Sequence, residues 1–218
     1  MVDISNIIFD FGGVVHDICY GNVGRAFASN GVGGMENFYS RDFQTSEMDD
    51  FEKGLISPSQ FRDYLRTLTS SNLSDSQIDN IVNAILIDVP QERVSLLLEL
   101  RKHYRTFLFS NTNQINYDCF SSRLVRKYGF DIFEDCFDAA YFSHQIHMRK
   151  PSTEGFRLIL NEQQLLPAET LFIDDIESNL VGARELGIRT YCLAQGSILD
   201  LFDNDGNPTQ RLLQGIDG

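Results

Sequence analysis

The sequence predicts an α/β fold, a Rossmann-like parallel sheet with helices on both faces and an inserted all-helical cap. Two observations carry this. Short apolar runs recur at residues 7–9 (IIF), 106–109 (TFLF), 139–142 (AAYF), 170–173 (TLFI) and 190–193 (TYCL), separated by segments with helical spacing. Runs of that length and alternation suit parallel strands covered on both faces. One interval, from Val14 to Arg105, is far too long for a crossover and offers helix signals but no convincing strand.

The first run ends in Asp10 and a turn containing Gly12 and Gly13. A carboxylate at the end of an apolar strand is costly to desolvate unless it has a partner or a task. In the long interval, Ser57 with Gln60 and Ser74 with Gln77 form two capping-box signatures. Phe61, Tyr64, Leu65 and Leu68 follow the first, and Ile78, Ile81, Val82 and Ile85 the second, each at i, i+3, i+4, i+7. Pro90 then opens a helix carrying Val94, Leu97, Leu98 and Arg101. These signals divide the chain into a core, residues 1–17 and 89–218, and a helical cap, residues 18–88. The cap is expected over the C-terminal ends of the strands, where open α/β sheets bind ligands.

Three more polar clusters follow proposed strands: Ser110-Asn111-Thr112-Asn113, Met148-Arg149-Lys150-Pro151 before a helix that Thr153 could cap, and Asp174-Asp175. With Asp10 they would converge on one edge of the sheet. Next, residues 177–186 (ESNLVGAREL) place Leu180, Val181, Ala183 and Leu186 near one helix face, and Gly187 supplies the stop. Residues 197–202 suggest a short helix, and NDGNPTQ a loop.

Composition narrows the function classes. A net charge of −13 opposes phosphate backbones and anionic lipids, so neither nucleic acid nor membrane is expected as a partner. The N-terminal residues lack the basic start and apolar run of a secretory leader, which suggests a cytoplasmic protein. Cys19, Cys119, Cys136 and Cys192 have no metal-like spacing and read as reduced thiols.

The segments DFGGVV, FSNTN, MRKP and FIDDIESNLVGARELG resemble, in order and separation, the four motifs of the haloacid dehalogenase-like (HAD) superfamily. Ser-Asn-Thr-Asn and Met-Arg-Lys-Pro look closest to its bacterial α-glucose-1-phosphate phosphatase group. IDDIESNL also resembles the N-terminal phosphatase domain of soluble epoxide hydrolase. The resemblance implies a Mg²⁺-dependent phosphatase acting on a small phosphorylated metabolite such as a sugar phosphate. Asp10 would be the nucleophile and form an aspartyl-phosphate. Mg²⁺ would be held by Asp10, the carbonyl of Gly12, and Asp175 with Asp174 as helper. Lys150 would neutralise charge. Ser110 and the backbone N–H groups of Asn111 and the Gly12-Gly13 turn would bind phosphoryl oxygens. Asn179 would steady Lys150 or a metal-bound water. Arg149 would contact substrate or form a structural ion pair, and Arg41, Arg62, Tyr64, His144 and His147 are further candidates.

The sequence departs from the family at Gly12, where most of its phosphatases carry an aspartate that protonates the leaving oxygen. Three readings follow. The chain is a phosphatase that uses water, His16 or Asp17, or a good leaving group; a haloacid dehalogenase; or a catalytically silent binding module.

Overall fold

The structure, a computed structural model, describes residues 4–36, 38 and 45–216. The strands are β1 (Asn6–Phe9), β2 (Asp17–Ile18), β3 (Leu86–Asp88), β4 (Arg105–Ser110), β5 (Ala139–Phe142), β6 (Thr170–Asp174) and β7 (Arg189–Cys192). Five form one sheet in the order β5-β4-β1-β6-β7, and every pairing in it is parallel. Each end of these five lies within one residue of the apolar runs in the sequence. Alternation explains why. Ile7, Phe9, Leu108, Leu171 and Ile173 enter one core cluster, and Ile8, Phe107, Phe109 and Phe172 enter another on the opposite face. The chain leaves β1 for β4 on one side and later returns to β6 on the other, so the crevice at the strand ends opens beside β1.

The helices are α1 (Gly21–Ser29), α2 (Ser46–Glu52), α3 (Pro58–Thr69), α4 (Asp75–Asn83), α5 (Gln91–Leu100), α6 (Gln114–Tyr128), α7 (Ile132–Asp135), α8 (Ser143–Ile146), α9 (Thr153–Gln163), α10 (Val181–Glu185) and α11 (Gln210–Gly215). Helices α5 and α6 cover the first face of the sheet and α9 and α10 the second. Helices α1 to α4 share a third cluster, with Phe27, Phe51, Phe61, Leu65, Ile78, Ile81 and Val82 at its centre and Ile115 of α6 as a buried contributor from the sheet side. Phe51 and Phe61 stack there with ring centroids 4.1 Å apart. Burying such a side chain contributes about 1.5–3 kcal/mol.

Both capping boxes form as read, at the starts of α3 and α4. Elsewhere the structure differs from the sequence reading. The long interval does contain strands: β2 and β3 pair antiparallel where the chain passes into and out of the α1–α4 layer. Two- and three-residue strands are too short to show alternation. Leu68 and Leu98 point to solvent, and Leu96 and Leu100 take the inward positions on α5. Ser152, not Thr153, caps α9. Residues 177–180 form a 3-10 turn ahead of α10, so Val181 faces outward. Helix α11 follows the expected loop. All four cysteines are free thiols. Among the described residues no helix is long and apolar enough to cross a membrane.

Candidate active site

The strand-end residues meet in one cavity of about 290 Å³, close to the lower end of the ~300–1,000 Å³ usual for small-molecule sites. Its floor includes Asp10, Gly12, Ser110, Asn111, Lys150 and Asn179; Ile18, Tyr20, Glu52, Ile85 and Leu86 close it from the cap side. Asp10 follows β1 directly, and its N–H donates to the Ile173 carbonyl at 2.9 Å, which fixes it beside the end of β6.

Lys150 organises the floor. It is wholly buried, and its Nζ donates to Asp10 Oδ1 and to Asp174 Oδ2, both at 2.6 Å. Burial alone would lower its pKa, but Asp10 and Asp174 outweigh burial and hold it above the ordinary lysine value. Asp174 also accepts the Ile176 N–H at 2.8 Å and the Asn179 amide at 3.0 and 3.2 Å. Asn179 therefore steadies Asp174, and through it Lys150. Burial pushes the Asp10 pKa well above the carboxylate range; Lys150 opposes this, and the charges of Asp174 and Asp175 add to it.

Asp10, Asp174 and Asp175 are buried, and each brings a carboxylate oxygen within 4.8 Å of the others. Three hard oxygen donors without nitrogen or sulfur fit Mg²⁺. The cluster explains the second glycine of the turn. Gly13 has φ +86°, and a Cβ there would lie 2.5 Å from the Asp175 carboxyl. Gly12 is different: a Cβ would sit 3.3 Å from Ile18 Cδ1, so Ile18 occupies the neighbouring space.

Several expected roles shift. The Gly13 N–H already donates to the His16 carbonyl at 2.8 Å, which takes it from phosphoryl binding. The Asn111 side chain clamps the Lys150 backbone, accepting its N–H at 2.9 Å and donating to its carbonyl at 3.0 Å. Arg149 lines the cavity, but its guanidinium is held by Asp49 at 2.7 Å and Glu52 at 2.9 Å, both on α2. His16 lines the cavity, yet it is a poor acid. Its Nδ1 lies 2.8 Å from the Asp17 carbonyl, which only accepts, so Nδ1 carries the proton. Burial lowers its pKa to about 4, so the ring is neutral near pH 7 and Nε2 is an acceptor. Asp17 turns away and pairs with Arg93 at 2.8 Å.

Arg62 pairs with Asp79 inside the α3–α4 layer, and Tyr64 packs against its apolar cluster. His147 Nδ1 donates to the Lys53 carbonyl at 2.7 Å, and His144 is buried beside Tyr117 and Phe142. Arg41 lies outside the described residues. Among the cavity residues that sequence reasoning did not single out are Glu52 and Asn116. Asn116 is buried at the start of α6 and donates to Asn83 at 3.0 Å, tying the floor to α4. Its place three residues after the helix-capping Asn113 was the available signal.

A family model described as haloacid dehalogenase-like hydrolase matches residues 4–187. The D-ribitol-5-phosphate phosphatase of Bacteroides thetaiotaomicron is 31% identical over 188 residues, which are 86% of this chain and 91% of that relative. Among solved structures, a HAD family enzyme of the same organism in complex with magnesium and inorganic phosphate is 35% identical. It superposes with a TM-score of 0.82 over 92% of this chain and 100% of its own. The structure of a predicted HAD-like family hydrolase from Porphyromonas gingivalis is 32% identical, with a TM-score of 0.78 over 87% of this chain and 90% of its own. With a family model spanning most of its length and a relative above 30% identity along nearly all of it, the chain belongs to the haloacid dehalogenase-like hydrolases.

Proposed function

We propose that the chain is a Mg²⁺-dependent phosphatase of small sugar or polyol phosphates, working through an aspartyl-phosphate on Asp10. The observation that carries this reading is the buried Lys150 with its two carboxylates, 2.6 Å to each, at the floor of a small cavity. Such a cation is expensive to bury unless the charge is used. An Asp10 oxygen attacks phosphorus, and the bond to the leaving oxygen breaks with its electron pair. The departing oxygen takes its proton from solvent; water then attacks phosphorus and gives a proton to solvent, the acyl–phosphate P–O bond breaks, phosphate is released and the Asp10 carboxylate is regenerated. Lys150 opposes the effect of burial on Asp10, favouring its anionic form, and offsets its repulsion from an incoming phosphate. Ser110 donates to a phosphoryl oxygen, and Asn111 and Asn179 hold Lys150 and Asp174 in place. Asp10, Asp174, Asp175 and the Gly12 carbonyl would hold Mg²⁺, which supplies further charge neutralisation at the phosphoryl group.

The substrate class rests on the relative named D-ribitol-5-phosphate phosphatase and on the lack of a proton donor for the leaving group at Gly12. With Gly12 in place of an acid, and His16 and Asp17 unsuited to replace it, an oxygen that leaves without a proton is favoured. The anomeric oxygen of a sugar 1-phosphate is one such leaving group. The test is an assay of the natural protein with ribitol 5-phosphate, glucose 1-phosphate, glucose 6-phosphate and an aryl phosphate, with Mg²⁺ and with chelator. We expect turnover that chelation abolishes. A folded, Mg²⁺-binding protein that hydrolyses none of them would be a silent binding module.

A further inference from the structure

Arg149 and Glu52 form the other charged pair in the cavity wall, and the catalytic scheme has no use for either. Glu52 stands at the C-terminal end of α2, with its side chain only 6% exposed. Burying a carboxylate is costly unless it is paired, and Arg149 is the partner here. Asp49, one turn earlier, already holds the same guanidinium at 2.7 Å from the solvent side, where it also takes Lys53. Of the two acids on Arg149, Glu52 is the one that lines the cavity. Apart from Asp10 and Lys150 on the floor, the rest of the lining is uncharged and includes Ile18, Tyr20, Thr112, Asn116 and Ile176.

We infer that Glu52, oriented by Arg149, determines leaving-group specificity by binding hydroxyls, and that the leaving group is an uncharged polyhydroxy chain. A substrate hydroxyl both donates and accepts, so a carboxylate beside a guanidinium matches one hydroxyl or an adjacent pair. Charge supplies the other half of the selection. Arg149 divides its guanidinium between Glu52 and Asp49, and Asp49 also takes Lys53, so the cluster is balanced overall; a second phosphate or a carboxylate placed beside Glu52 itself meets like charge. The inference rests on the phosphatase reading and adds to it which chemical group is recognised and where.

The test compares kcat/KM of the natural protein, with Mg²⁺, for ribitol 5-phosphate, glucose 1-phosphate, pentyl phosphate, an aryl phosphate and a phosphorylated aldonate. The better of the two polyhydroxy esters should exceed pentyl phosphate by roughly 10- to 100-fold, the range for a hydrogen bond to a charged group. The aldonate should be poorer than its uncharged counterpart. Glu52→Gln, which keeps the shape and loses the charge, should raise KM for the polyhydroxy ester by about 10-fold, with kcat little changed and a clearly smaller loss for the aryl phosphate. Equal values for pentyl and polyhydroxy esters in the natural protein would overturn the inference without any variant. An equal loss on all esters in Glu52→Gln would also overturn it and leave the residue a docking role. Failure of the natural protein to hydrolyse even the aryl ester would instead remove the phosphatase reading on which the inference depends.

Discussion

Arg149 and Lys150 are adjacent in sequence, and each is held between two carboxylates, but the two pairs face different parts of the molecule. Lys150 joins Asp10 and Asp174, both from strand ends of the sheet, and no part of it reaches solvent. Arg149 reaches the other way, to Asp49 and Glu52 of α2, and stays partly exposed. The inner pair is tied into the sheet: Asn179 and the Ile176 N–H also donate to Asp174. The outer pair spans two layers that have separate apolar cores. On the proposed function the same local chemistry would serve reaction in one place and fit in the other, and the two should respond differently to substitution.

The largest effect should come from breaking the inner pair at its nucleophile. Asp10→Asn keeps the size of the side chain, and turnover of an aryl phosphate should fall by at least ~10⁴-fold. Retained single-turnover phosphoryl transfer to the variant would remove Asp10 from its role.

Next comes Asp174→Asn. Asp174 holds Lys150 and accepts three further contacts, so it does more than assist a metal site. A loss of about 10²-fold or more in kcat, together with a lowered melting temperature, is expected, because breaking a buried ion pair costs ~3–5 kcal/mol. A mild effect on both would reduce Asp174 to the helper role suggested by the sequence motif.

Gly54→Ala sharpens the outer half of the comparison. Gly54 follows α2 with φ +65°, and a Cβ there would lie 2.2 Å from the His144 carbonyl. The clash should shift the end of α2, and Glu52 with it, at a cost of about 1–3 kcal/mol. KM for a polyhydroxy ester should rise, while kcat for an aryl phosphate, set by the inner pair, should change little.

The smallest effect is a pH dependence of stability. Burial lowers the His144 pKa from 6.5 to about 4, so the folded state favours the neutral ring. Its contribution is complete above about pH 6.5 and is lost as pH falls towards 4, since the unfolded chain binds the proton first. His16 acts in the same direction. These two contributions lower the urea midpoint between pH 7 and 5 while the raised Asp10 pKa opposes them, so over that range His144→Phe should lose less stability than the natural protein.

Most of the inner network was legible because Asp10, Ser110 and Asp174 stand at or just beyond the ends of apolar strands and Lys150 in the segment after another, and parallel strands bring such ends to one sheet edge. Asp10, Ser110, Lys150 and Asp174 could be named on that ground. The outer pair was not legible. Glu52 lies in SEMDDFEK, where acids outnumber apolar residues and read as a solvated helix face; its burial depends on where α2 docks. The ribbon of β2 and β3 escaped for want of length. The phase of α5 was misread because Leu96, Leu97, Leu98 and Leu100 offer two nearly equivalent apolar faces, and packing against the sheet selects between them.

The cluster shared by α1 to α4 has a consequence for how such a protein can change over generations. Its buried members lie between Val23 and Ile85, with Ile115 the single exception among them. A substitution inside this cluster is accommodated by neighbours that take no part in phosphoryl transfer. Lineages could therefore explore new substrates by altering or exchanging the segment between the β2 and β3 strands while the Lys150 network stays fixed. Chimaeras that trade that segment between relatives, each keeping its own α6 contact at position 115, would carry substrate preference with the donor and turnover chemistry with the recipient.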